Sequence, residues 1–217
     1  YGPPPYRTAV VHGGPGAQGG VAEVALKLSS FTGILEPIQT ECTVDGEIEE
    51  LYRIIKMNTE PPVVLIGHSW GAWLSLLTAA RHPETVSKLI LVASAPFKEH
   101  YASEIHKRRI ERLSSKEKIE FSSLMQSLAS SRSGEDKLLS KRLHKLFLKS
   151  DFYETGDGGE DYGNNIEINS KIFNTVWLKA AELRSSGALL KAASTLKCPV
   201  LAIHGDHDPH PSEGVDL

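Results

Sequence analysis

The chain has 217 residues, with 24 basic and 27 acidic side chains and a net charge of −3. That balance excludes a global electrostatic case for nucleic acid or an anionic membrane as partner. The apolar runs are strand-sized, so no bilayer span is expected. Tyr1–Tyr6 lacks the basic start and apolar middle of a signal peptide. Cys42 and Cys198 offer neither a disulfide framework nor metal-ligand spacing, and buried thiols in a reducing, cytoplasmic compartment are expected.

In chain order, Arg7-Thr8-Ala9-Val10-Val11 reads as a short buried strand running into His12-Gly13-Gly14-Pro15-Gly16, a turn made almost entirely of backbone. Val21 to Leu28 reads as a helix and Gly33 to Ile38 as a second strand. Asp45 is placed to cap a helix from Gly46 to Met57, with Glu47, Glu49 and Glu50 in its first turn, where the dipole favours acids. Ile48, Leu51, Tyr52 and Ile55 give that helix an apolar stripe.

Val63-Val64-Leu65-Ile66 is the next strand, and Ala72 to Ala80 has helical composition without a breaker. Between them lies Gly67-His68-Ser69-Trp70-Gly71, a serine in a G-x-S-x-G frame at a strand-to-helix reversal. Such a turn is too tight for side chains at both flanking positions, and it lifts the hydroxyl to the tip of the bend. Val86 to Ala93 is a further strand, ended by Ser94-Ala95-Pro96. Alternating strands and helices predict right-handed crossovers and a parallel sheet.

The rhythm then breaks. Residues 97–186 show no convincing buried strand, only amphipathic helices. One stripe is Phe121, Leu124, Met125 and Leu128; a second is Leu139, Leu143, Leu146 and Phe147; a third is Phe173, Val176, Trp177 and Ala180. A polar, glycine-rich loop, Thr155 to Gly163, separates the second from the third. Lys107, Arg108, Arg109, Arg112 and Lys116 interleave with Glu104, Glu111, Glu117 and Glu120, which reads as a solvated helix face with i,i+4 pairs. The α/β pattern returns with a helix at Leu189–Ala193 and a strand at Cys198–Ile203, followed by His204-Gly205-Asp206-His207-Asp208-Pro209-His210-Pro211. The chain thus divides into a core over 1–96, a helical insertion over 97–186 and a second core segment over 187–217.

A serine hydroxyl needs a base to take its proton, an acid to orient that base, and N–H donors for a tetrahedral oxyanion. Ser69 is the candidate nucleophile. The backbone N–H of Trp70 is one candidate oxyanion donor, and Gly14, in the loop after the first strand, is the other. Asp208 lies just past a strand's carboxyl end, where open α/β sheets keep their sites. No phosphate-binding loop or metal cluster is present in the sequence, so neither a cofactor nor a metal is expected.

His12-Gly13-Gly14-Pro15-Gly16, the Gly67–Gly71 elbow and Gly205-Asp206-His207-Asp208, in that order, resemble the α/β-hydrolase superfamily over essentially the whole chain. Gly-Gly-Pro-Gly after the histidine and Trp70 after the serine are similar to its prolyl iminopeptidase branch; His68 before the serine is the pattern of many esterases and lipases. The resemblance implies a mostly parallel sheet flanked by helices, with residues 97–186 as a helical cap. It implies Ser69 as nucleophile and Asp208, the second acid of Gly-Asp-x-Asp, as the orienting acid, with Asp206 tying down its own loop. It also implies a base on a loop after one more strand. Set against that order the chain is expected to be cut at both ends and to be nearly inactive as written. His210 is in reach of Asp208 but is not expected to stand between it and the serine. His68 is expected to pack behind the elbow and His12 to fix the oxyanion loop. Glu160 and Asp161 are candidates for recognising a substrate amino group. The expected activity is hydrolysis of an ester, amide or N-terminal peptide bond through an acyl-enzyme, on a small-molecule or short peptide substrate. The alternatives are small-molecule binding without turnover, and C–C bond hydrolysis or acyl transfer on the same fold.

Overall fold

The computed structural model describes residues 1–130, 137–153 and 167–216. Strands β1 (Tyr6–Val11), β3 (Gly33–Leu35), β4 (Val63–His68), β5 (Val86–Val92) and β7 (Val200–Ile203) form a parallel sheet in the order β3-β1-β4-β5-β7. From β1 the chain steps outward through α1 (Ala22–Leu28) to β3. It then returns through α2 (Val44–Asn58) to pair β4 against the other side of β1. The boundary between β1 and β4 is therefore a topological switch point, where loops diverge and leave a crevice. Val11 is in register with Gly67, Gly67 with Leu91, and Val92 with Ile203. The loops after β1, β4, β5 and β7 accordingly leave along one edge.

The β4 run is aliphatic because it is covered on both faces, and Leu65, Leu89 and Leu91 are fully buried. α3 (Trp70–Arg81) and α2 cover it, joined by α8 (Ala188–Ala193) and α7 (Ser170–Ser185), whose Ile172, Val176 and Ala180 belong to the same apolar cluster. β7 lies at one sheet edge and leaves Leu201 and Ile203 exposed.

Between β5 and α8 the helices are α4 (Ala102–Glu111), α5 (Ser115–Ser130), α6 (Lys137–Asp151) and α7. The stripes read from α5 and α6 close on each other in a second apolar cluster containing Phe121, Leu128, Leu143 and Leu146.

Several local features differ from expectation. Thr43, not Asp45, caps α2: its Oγ1 accepts from the Gly46 N–H at 3.0 Å, while Asp45 pairs with Arg81 at 2.6 Å. β3 stops at Leu35 rather than Ile38, two residues before Pro37, which has no N–H to give a ladder. A two-residue strand, β6 (Glu167–Ile168), pairs antiparallel with β2 (Ala17–Gln18) and ties the helical insertion to the loop after β1. Two residues carry no periodicity, so no sequence pattern announces it. Among the described residues no helix is long and apolar enough to cross a membrane.

Candidate active site

Ser69 sits between β4 and α3 with φ 52° and ψ −115°, a conformation that L-residues rarely adopt and that costs of order 1–3 kcal/mol. The surroundings hold the bend. The Ser69 N–H donates to the Val92 carbonyl at 3.0 Å and the Ala72 N–H donates to the Ser69 carbonyl at 3.1 Å. Gly71 lets α3 lie against β1: a Cβ there would collide with the Val11 and His12 carbonyls. The strain is thus imposed by close helix–strand approach, which only glycine permits.

The loop after β1 comes down on this bend. A Cβ on Gly13 would lie 3.0 Å from the Ser69 Cβ and 2.9 Å from His68 Nδ1. Gly14, with φ 52°, and Ser69 line one cavity of about 950 Å³. Trp70 opens α3, so its N–H has no acceptor within the helix. The loop is braced from beneath by Gln39, which is 3% exposed. Its Nε2 donates to the His12 carbonyl at 3.0 Å, and its Oε1 accepts from the Gly16 N–H at 3.4 Å. Sequence reasoning missed Gln39, since a single glutamine between Ile38 and Thr40 carries no pattern. His12 is fully buried, with Nδ1 3.1 Å from the Gly13 carbonyl. Burial pushes its imidazole below the ordinary value, so it serves as a neutral brace.

Asp208 lines the same cavity from the loop after β7. Its Oδ1 accepts from the His210 N–H at 2.9 Å and lies 2.7 Å from His210 Nδ1. A carboxylate only accepts, so Nδ1 carries the proton and Nε2 is left as the second ring nitrogen. Burial opposes the Asp208 charge, but the hydrogen bond and the charge of His210 outweigh it and hold the carboxyl below its ordinary value. The loop is therefore tied down by an Asx-type turn at Asp208 and not, as expected from the sequence, at Asp206. Among the described residues the Asp206 carboxylate, exposed at the cavity mouth, makes no hydrogen bond.

His68 does not pack behind the elbow. It ends β4 with its ring exposed to the cavity, because outward-pointing positions on that strand meet the crevice at the sheet edge. Desolvation by the protein around it, then the nearby His210 charge, pushes it down to about 4, and the ring is neutral at pH 7. The Ser69 hydroxyl forms no hydrogen bond to His68 or His210. Ser69 and the Asp208–His210 pair share a cavity without a closed relay.

The far wall comes from the helices between β5 and α8: Ile105, Met125, Phe147, Leu148, Phe173 and Trp177. Arg109, read as part of a solvated basic face, turns inward here. It forks onto Asp151 at 2.8 and 2.6 Å and lies 4.8 Å above the Phe147 ring. Arg108 with Glu104 is the expected solvated pair, whereas Glu117 and Glu120 pair across to Lys149 and Arg142 on α6. Glu160 and Asp161 lie outside the described residues.

A parallel sheet with its switch point at β1/β4, a strained serine on the elbow after β4 and a carboxylate after β7 define an α/β-hydrolase. The profile of the serine aminopeptidase S33 family matches residues 46–214, and the chain belongs to that family. Among curated proteins, none matches at a significant level. Solved structures are similar in fold. An α/β-fold hydrolase from Bacillus anthracis str. Sterne has a TM-score of 0.67 at 17% identity, over 96% of this chain and 78% of that one. A carboxylesterase structure from the thaumarchaeon Nitrososphaera gargenis has a TM-score of 0.57 at 20% identity, over 95% and 74%. An epoxide hydrolase from Bacillus megaterium has a TM-score of 0.55 at 17% identity, over 99% and 81%. At these identities the likeness concerns the fold, which hosts all three.

Proposed function

We propose that the protein is a serine hydrolase in which Ser69 attacks an ester, amide or N-terminal peptide bond and forms an acyl-enzyme. The observation that carries this reading is the strained Ser69 lining a cavity shared with Asp208 and the glycine loop. The serine oxygen bonds to the acyl carbon as its proton passes to a histidine. The oxyanion is met by the N–H groups of Trp70 and Gly14, and the leaving group departs with that proton. Water then repeats the sequence to release the acid. Asp208 orients the histidine.

The family's chain order puts that histidine on a loop following Asp208 and a further strand. His210 as the base is the second reading, favoured by its 2.7 Å contact with Asp208. Replacing His210 with alanine separates them. If it is the base, turnover of p-nitrophenyl esters falls by about 10⁶. If it is a neighbour of Asp208, turnover stays within a few-fold. The apolar far wall favours esters of bulky apolar acyl groups over peptides. A panel of p-nitrophenyl esters set beside aminoacyl p-nitroanilides tests this; cleavage of the anilides alone would reverse it.

A further inference from the structure

Glu47 falls on the apolar stripe of α2, among Val44, Ile48, Leu51 and Ile55, and is 1% exposed. Its Oε2 accepts from Trp70 Nε1 at 2.9 Å, while its Oε1 is buried with no partner. The Trp70 ring is fully buried and meets the edges of Trp73 and Trp177, at 6.2 and 6.3 Å between centroids. The indole nitrogen is the polar handle of that ring, and Glu47 holds it. Trp70 is also the residue whose main-chain N–H follows Ser69. The carboxyl beneath the elbow and the amide above it are therefore joined through one rigid side chain.

We propose that Glu47 is a positioning residue: through its hydrogen bond to the Trp70 indole it fixes the main-chain N–H that faces the developing oxyanion, and its ionisation loosens that N–H. This rests on the reading of Ser69 as nucleophile. Burial and the neighbouring carboxylates favour the neutral form of Glu47, and the Trp70 indole N–H favours the ionised one. Burial first, then the carboxylates of Glu50 and Glu41, push the carboxyl up to about 8 against the opposing indole bond. α3 brings the uncharged indole; its cation, Arg81, sits in the last turn, engaged by Asp45 and Glu49. His12, in the loop after β1, is kept neutral by burial. Above its titration point Glu47 is a charge with one donor among apolar neighbours, and it moves toward water, taking the indole's anchor with it.

The test is Glu47→Gln and Glu47→Ala in the whole chain, with kcat and KM for p-nitrophenyl butyrate followed from pH 6 to 10, beside thermal unfolding over the same range. Wild type loses kcat as pH rises through about 8 with KM unchanged. Glu47→Gln, a neutral isostere that keeps the acceptor, retains kcat at pH 7 and lacks that alkaline limb. Glu47→Ala lowers kcat roughly 10- to 100-fold at every pH, as expected for a donor out of place. Should the alanine variant fail to fold, the glutamine pH profile decides alone. An active Glu47→Gln that keeps the wild-type alkaline limb, with only its melting temperature changed, overturns the positioning role. A folded wild type that neither cleaves the ester nor takes a fluorophosphonate at Ser69 overturns the nucleophile reading, and this role with it.

Discussion

Asp208 and His210 meet at 2.7 Å on the wall of the cavity that Ser69 enters, and the same carboxylate oxygen also takes the His210 main-chain N–H at 2.9 Å. Two donors on one oxygen fix the carboxylate relative to the sheet edge. In the proposed mechanism this holds the acid in place before any substrate arrives. Asp208→Asn substitutes an amide that can present an N–H where an acceptor is required. In the full-length protein, turnover is expected to fall by about 10⁴-fold with the fold intact, as the equivalent tautomer error does elsewhere. Steady-state ester hydrolysis beside circular dichroism checks it.

The same pair gives a stability signature with a defined sign. The folded Asp208 carboxyl titrates below its ordinary value of 3.8. Its stabilisation is therefore fully present above about pH 4 and is lost as pH falls through the lower, folded value. Wild type is expected to be more stable than Asp208→Asn at pH 7, with the gap closing toward pH 2 to 3. Denaturant melts at both pH values measure this; a gap that widens in acid contradicts it.

Gly13→Ala puts a methyl 3.0 Å from the Ser69 Cβ and 2.9 Å from His68 Nδ1. The loop must retreat by a few tenths of an ångström, carrying the Gly14 N–H away from the oxyanion position. A loss of roughly 10²-fold in kcat is expected, comparable to removing one oxyanion donor. The melting temperature should change by only a few degrees. Wild-type kcat in this variant would place the second donor elsewhere.

Asp151→Ala leaves the Arg109 side chain, only about 20% exposed, without the carboxylate its guanidinium forks onto. The expected destabilisation is about 1–3 kcal/mol. Because Arg109 and Asp151 bridge α4 and α6 at the cavity wall, KM for long apolar esters should rise several-fold while kcat on acetate esters holds. Equal KM across chain lengths would remove this wall from substrate binding.

The frame was legible where sequence period and topology agree. The aliphatic runs at Val63–Ile66 and Val86–Val92 are strands because parallel sheets bury both faces, and the G-x-S-x-G frame sits on the predicted reversal. Side-chain direction was less legible. Glu47 was assigned to the helix dipole, yet it lies four residues before Leu51 and three after Val44, on the buried stripe; that spacing is the signal that could have found it. Arg109 looked like its neighbours Lys107 and Arg108, and only the distant Asp151, forty-two residues on, turns it inward. Thr43 outcompeted Asp45 as cap because the helix begins one turn earlier than its apolar stripe suggests.

The most direct test of Ser69 as nucleophile is a fluorophosphonate probe on the folded full-length protein, with the adduct located by peptide mass spectrometry. Labelling on the peptide containing Ser69, absent in Ser69→Ala, is the expected result. A folded protein that stays unlabelled, or an adduct on another residue that persists in Ser69→Ala, would contradict it.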